Sequence, residues 1–117
     1  MAYNEDLEKR LDFALGLFPK DISEQLSKKK MFGGLAIMYK GKMSVGIVKD
    51  DLMVRVIGSK MDAVLQRDAV RPMDFTNRPM KEFIYVSPKG FETEEQLQYW
   101  IELGIEHAQN KIMTNKQ

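Results

Sequence analysis

The sequence predicts an α+β domain of two layers: an antiparallel five-stranded sheet with helices on one face, in the order α-β-β-β-α-β-β-α. Three observations predict it. Apolar residues recur at helical spacing near both ends of the chain, short runs of strand-forming residues lie between them, and the links joining those runs are mostly a few polar residues long. A parallel crossover needs a dozen or more residues, so such links imply antiparallel pairing. Grouped strands with helices before and after them form a sheet covered on one side. All 117 residues fit one domain, and a chain of this size buries enough surface for one core.

The first helix is read from Leu7, Leu11, Ala14, Leu15 and Phe18, which form one apolar stripe. Asn4 is its expected N-cap, with Glu5 and Asp6 in the first turn, where negative charge suits the dipole. Pro19 interrupts it. Residues 22–30 are expected to add a further turn or two of helix, ending in Lys28-Lys29-Lys30 and stopped by Gly33-Gly34. At least one of those glycines should take a positive φ. Three strands follow, Leu35 to Tyr39, Met43 to Val48 and Leu52 to Ile57, separated by Lys40-Gly41-Lys42 and Lys49-Asp50-Asp51.

A short helix is expected from Lys60 to Arg67, with Met61, Val64 and Leu65 on one face. Met73 to Phe75 forms a brief strand and Lys81 to Ser87 a firmer one, joined by Thr76-Asn77-Arg78-Pro79. The last helix opens on Thr93 and Gln96, a capping box, with Glu92, Glu94 and Glu95 around its start. Leu97, Trp100, Ile101, Gly104, Ile105, Ala108 and Ile112 then share one stripe. A glycine on the buried side costs roughly 1 kcal/mol of helix propensity against Ala, which close approach to the sheet would offset.

Composition excludes several classes of function. The chain has no Cys, which removes disulfides, thiolate metal sites and Cys nucleophiles. Its single histidine, His107, cannot build a two-His metal centre or a Ser-His-Asp triad with a Gly-x-Ser-x-Gly elbow. Beside the last apolar stripe, His107 is expected at a surface or boundary position. No phosphate loop is spelled, because Gly33-Gly34 runs into apolar strand. Asp50-Asp51 reads as turn chemistry. The expectation is therefore no enzyme, no cofactor and no metal. No apolar run can span a bilayer and the acidic start is unlike a signal peptide, so a cytoplasmic protein is expected.

Two surfaces remain as interaction candidates. Arg71, Arg78 and Lys81 flank Met73, Phe75 and Met80, a mixture able to hold nucleic acid by phosphate contact and stacking, or to cover apolar surface with cationic stems. The net charge of +1 supplies little field for a polyanion. The second surface is the sheet. Alternation puts Leu35, Ile37 and Tyr39 on one face and Ala36 and Met38 on the other, while Leu52, Val54 and Val56 oppose Met53, Arg55 and Ile57. In the last strand Phe83 and Tyr85 oppose Ile84 and Val86, and which pair joins Met38, Met53 and Ile57 on the uncovered face depends on register. The chain holds 9 Met, and Met-rich surfaces adapt to varied partners, here a protein or a second copy in a homodimer.

Four pieces in this order resemble the N-terminal domain of the TfoX/Sxy family of competence regulators. They are Met31-Phe32-Gly33-Gly34, the segment from Gly41 to Val48, Leu52 to Val56 before a short helix, and Arg78-Pro79-Met80-Lys81 before Phe83 to Val86. The resemblance spans nearly the whole chain. It implies the same succession of helices and strands, and a regulator of DNA-uptake gene expression without a known catalytic site. Full-length members of that family carry a second, C-terminal domain, whereas this chain runs only a few residues past its last expected helix.

Overall fold

The computed structural model describes residues 3–31, 33–75 and 78–115. Its elements are α1 (Glu5–Gly16), α2 (Lys20–Ser23), β1 (Leu26–Met31), β2 (Gly34–Tyr39), β3 (Lys42–Val48), β4 (Asp51–Arg55), α3 (Gly58–Leu65), β5 (Val70–Phe75), β6 (Arg78–Val86), a single 3-10 turn (Pro88–Phe91) and α4 (Glu94–Asn115). The strands form one antiparallel sheet in the order β1-β2-β3-β4-β6-β5.

Helix starts follow the sequence signals closely. The Asn4 side chain accepts from the backbone N–H of Asp6 and Leu7 at 2.9 and 3.1 Å. Asn4 is itself pinned to the β3–β4 turn, its N–H donating to Lys49 O at 2.8 Å and its amide to Asp50 Oδ1 at 3.2 Å. At α4, Thr93 N–H donates to Gln96 Oε1 at 2.9 Å and Gln96 N–H to Thr93 Oγ1 at 3.1 Å, closing the capping box.

The sheet has six strands rather than five, and the added strand replaces an expected helix. From Leu26 onward the lysine-rich segment pairs with β2, from Leu26↔Tyr39 to Met31↔Gly34. Lysine has good helix propensity, but the free edge of β2 offers this segment a full ladder of backbone hydrogen bonds. Alternation then points Lys28 toward α1, where its ammonium meets Glu8 at 2.8 Å and Asp12 at 3.2 Å. Lysines on an edge strand also discourage further strand addition. The Lys28-Lys29-Lys30 run is thus part of an edge strand, not the cap of a helix.

Other boundaries shift less. β4 ends at Arg55, so Ile57 lies beyond the sheet at the start of α3. β5 begins at Val70 and tolerates Pro72 because it is the opposite edge. Among the described residues, no helix is long and apolar enough to cross a membrane.

The core lies between one sheet face and the helices. Leu35, Ile37, Val45, Ile47, Leu52, Val54, Ile84 and Val86 face Leu11 and Ala14 of α1, Val64 of α3 and Leu97, Trp100, Ile101 and Ala108 of α4. Trp100 also donates its indole N–H to Gly90 O at 2.8 Å. β3 carries a bulge: Ile37 pairs with Val45 but Met38 pairs with Met43, which leaves Ser44 as the extra residue. Its buried hydroxyl donates to Ile37 O at 2.9 Å. α4 crosses at this bulge, where a Cβ on Gly104 would stand 2.4 Å from Ser44 O and 2.7 Å from Val45 Cγ1.

Two glycine substitutions test this account. Gly104→Ala gains roughly 1 kcal/mol of intrinsic helix propensity, yet overpacking against a backbone oxygen costs about 1–3 kcal/mol. Urea unfolding should therefore show net destabilisation, and a more stable variant would mean α4 does not seat on the bulge. Gly33 has φ 74°, so Gly33→Val should lower stability by more than about 1 kcal/mol, with Gly33→Asn milder because Asn tolerates that region.

Candidate interaction surface

On the face away from the helices, one residue from each strand forms a continuous row: Lys29, Ala36, Gly46, Met53, Tyr85 and Arg71, each in register with the next. The row has its smallest side chains at the centre. Met53 and Met43 extend over Gly46, with Met53 Cε 2.8 Å and Met43 Cε 3.4 Å from where a glycine Cβ would stand. Met53 is consequently only 8 % exposed although it points away from the helical layer, and Ala36 is fully buried. At the flank, the Arg55 guanidinium lies 4.0 Å from the Phe83 ring centroid and that of Arg71 lies 4.8 Å from Tyr85. Arg71 also pairs with the Asp51 carboxylate and donates to Ser87 Oγ.

Register thus decides which residues of β6 face outward. Phe83 and Tyr85 join Met38, Met53 and Arg55 on the uncovered face, while Ile84 and Val86 enter the core. Ile57 does not join them, being past the end of β4. Arg78, Met80 and Lys81 lie in β6, but their side chains fall outside the described residues, as does that of Met31. Phe32 lies outside them altogether; Gly33 supplies the left-handed turn and Gly34 opens β2. Thioethers and guanidinia lie over this face, Met43 and Met53 over Gly46, Arg55 over Phe83 and Arg71 over Tyr85. Among the described residues the exposed large apolar side chains are Phe13 and Leu17, on the outer side of the first helix and just past it.

A polar cluster sits where β4 leaves the sheet. Glu82 has φ 64°, and beyond the Arg55↔Phe83 pair its carbonyl accepts from Val56 N–H at 3.0 Å. α3 has no capping side chain at Ile57, and the Glu82 carboxylate takes that place, accepting from Gly58 N–H at 3.1 Å. The same carboxylate accepts from His107 Nε2 at 3.1 Å and contacts Lys111 Nζ at 3.3 Å. Arg55 Nε donates to Glu82 O at 3.2 Å, and its Nη2 lies 3.2 Å from His107 Nε2.

His107 was expected near the surface and is instead 2 % exposed. It stands seven residues after Trp100, so helical spacing places it on the buried side, and its polarity masks that signal. The Glu82 contact assigns the ring proton to Nε2, leaving Nδ1 a buried acceptor without a partner among the described residues. Burial pushes the imidazole below its ordinary value against the pull of Glu82, and the nearby Arg55 charge adds to the depression. Glu82 is held below the usual carboxylate value by its hydrogen bond from His107 and by Lys111.

No group of three His, Cys, Asp or Glu among the described residues could hold a metal ion. A shallow groove of about 250 Å³ between α3 and α4, lined by Lys60, Tyr99, Leu103 and Glu106, is spanned by the Lys60–Glu106 ion pair at 2.8 Å.

Because the native imidazole binds its proton less readily than the unfolded one, stability is full above pH 6.5 and falls as the pH drops below it, toward the native value. Glu82 adds a second loss only below its ordinary 4.5. NMR titration of the single imidazole should show a midpoint under 6.5, and His107→Leu should flatten the upper window of the thermal-melting profile alone. A midpoint above 6.5 would contradict the buried placement.

The family model of the TfoX N-terminal domain matches residues 21–108. No curated protein matches the chain. The matched span runs from α2 through all six strands into α4, and takes in both the Met53 row and the Glu82–His107 cluster. By that match and by the succession of elements now described, the chain belongs to the TfoX N-terminal domain family.

Proposed function

We propose that the chain is a non-enzymatic regulatory module of the kind used in competence gene regulation, and that it acts by docking a protein partner on the open face of its sheet. The observation that carries this reading is the pair of methionines over Gly46. Over Gly46 lie two flexible, polarisable thioethers, those of Met43 and Met53, which a partner's apolar residue can displace at low cost. The basic hairpin supports a nucleic-acid role less well, since Arg71 is already committed to Asp51, Ser87 and Tyr85.

In cells lacking the chromosomal copy, Met53→Glu and Met38→Glu should leave the far-UV circular dichroism of the purified protein unchanged and fail to restore DNA-uptake transcripts. Lys9→Glu, on the exposed side of α1, should restore them. Full complementation by both folded methionine variants would sink the reading.

A further inference from the structure

We propose that the free edge of β1 receives an added strand: an extended acidic segment of a partner protein, pairing antiparallel to residues 26–30. Two adjacent carboxylates lead that segment, and an apolar residue follows three positions after the second.

The backbone carries the first half of the argument. β1 pairs with β2 on one side and, among the described residues, with no strand on the other. One step beyond the Leu26↔Tyr39 pair stand Gln25 and Lys40, and Lys40 N–H donates to Gln25 O at 3.0 Å. Hydrogen-bonded pairs recur at every second residue of an antiparallel ladder. Ser27, Lys29 and Met31 therefore turn their backbone groups toward β2, while Leu26, Lys28 and Lys30 turn theirs outward. Among the described residues no other element bonds to those three N–H and three C=O groups, and residues 27–30 are exposed. A strand laid about 4.8 Å away satisfies them together.

The side chains name the occupant. Lys28 already holds Glu8 at 2.8 Å and Asp12 at 3.2 Å. Lys29, on the open face, and Lys30, on the helical face, make no ion pair among the described residues. Lys30 stands near enough to help depress Glu8, but that carboxylate is bound by Lys28. Residues directly opposite in an antiparallel pair share a face, with Cβ atoms about 4.5–5.5 Å apart. Carboxylates thus belong opposite Lys30 and Lys29, and a neutral residue opposite Lys28. Leu26 packs against the core, so an apolar side chain opposite it extends that layer.

Other occupants fit less well. A second copy pairing β1 with β1 about a two-fold axis sets the lysine run against itself, and like charges directly opposite destabilise. The lysines thereby repel their own kind and select an acidic strand. Nucleic acid would use the ammonium groups but not the ladder, and β1 offers no aromatic ring for stacking.

The test titrates the full chain, labelled with nitrogen-15, with a serine-flanked peptide whose core reads Glu-Glu-Thr-Thr-Val. A Lys-Lys-Thr-Thr-Val peptide and a fifteen-nucleotide oligo-dT are the comparison probes. The Glu peptide should shift the amides of Leu26, Lys28 and Lys30 and protect them from hydrogen exchange. It should bind at least fivefold more tightly than the Lys peptide, with affinity falling as salt rises. N-methylation of the first Thr, opposite Lys28, removes a ladder donor and should abolish binding. N-methylation of the second Glu, whose N–H points away from β1, should not. The double variant Lys29→Glu/Lys30→Glu should reverse the preference, an inversion that loss of structure cannot imitate. No peptide binding, equal affinity, preference of the unaltered chain for the Lys peptide, indifference to methylation of the first Thr, or tighter binding of oligo-dT would each overturn the proposal. β1 lies three strands from Met53, so those outcomes leave the open-face reading untouched.

Discussion

Helix α4 meets the sheet at a point where the helix supplies no side chain. Gly104 has none, and Ser44, the extra residue of the β3 bulge, presents its carbonyl there while its hydroxyl turns back to Ile37 O. Backbone against backbone brings helix and sheet closer than an ordinary side-chain layer allows. That depth lets Trp100 reach Gly90 O and buries Leu97, Ile101 and Ala108 completely. It also carries His107, three residues further on, into a place where an imidazole must surrender its water. The polar cluster around Glu82 follows from the same contact, because an imidazole buried there needs an acceptor within reach.

With every helix committed to one face, the sheet has to manage its second face alone. Its solution is graded by size. Ala36 and Gly46 leave the middle of the central row low, and the thioethers of Met43 and Met53 lie into the depression. Toward β6 the rings of Phe83 and Tyr85 are roofed by guanidinia. The edges carry a different protection: lysines along β1, and Pro72 in β5, which cannot donate to an added strand. The surface is apolar underneath and polar or flexible above. A face of that kind resists casual aggregation while remaining able to rearrange around a fitting partner.

Most of this architecture was legible in the sequence because its signals are local. Asn4, the Thr93–Gln96 box and the left-handed Gly33 declare themselves within a few residues, and the alternation in β2 and β4 names the core side chains directly. Gly104 was legible as a close approach, though not what it approaches. The misreadings share one cause. Residues 26–31 read as helix because lysine favours helices, whereas their conformation is set by the vacant edge of β2 and by Glu8 and Asp12, far away in sequence. His107 read as a boundary residue because its partner, Glu82, stands 25 positions earlier on a bulged strand. The burial of the methionines depends on two strands converging over one glycine, which no single stretch of sequence reveals.

Arg55 belongs to both halves of this molecule. Its guanidinium plane lies against Phe83 on the open face, while its Nε donates to the Glu82 carbonyl and Nη2 approaches His107. The neighbouring carboxylate of Glu82 supplies the missing cap of α3. A planar, delocalised cation can stack through its face and donate through its edge at the same time, whereas an ammonium is a point charge that serves one geometry. Lysine at position 55 would keep the charge and lose the arrangement. The open face and the buried cluster are therefore not independent surfaces of a common scaffold. They are joined through one side chain, at the place where β4 ends and the strained backbone of Glu82 begins.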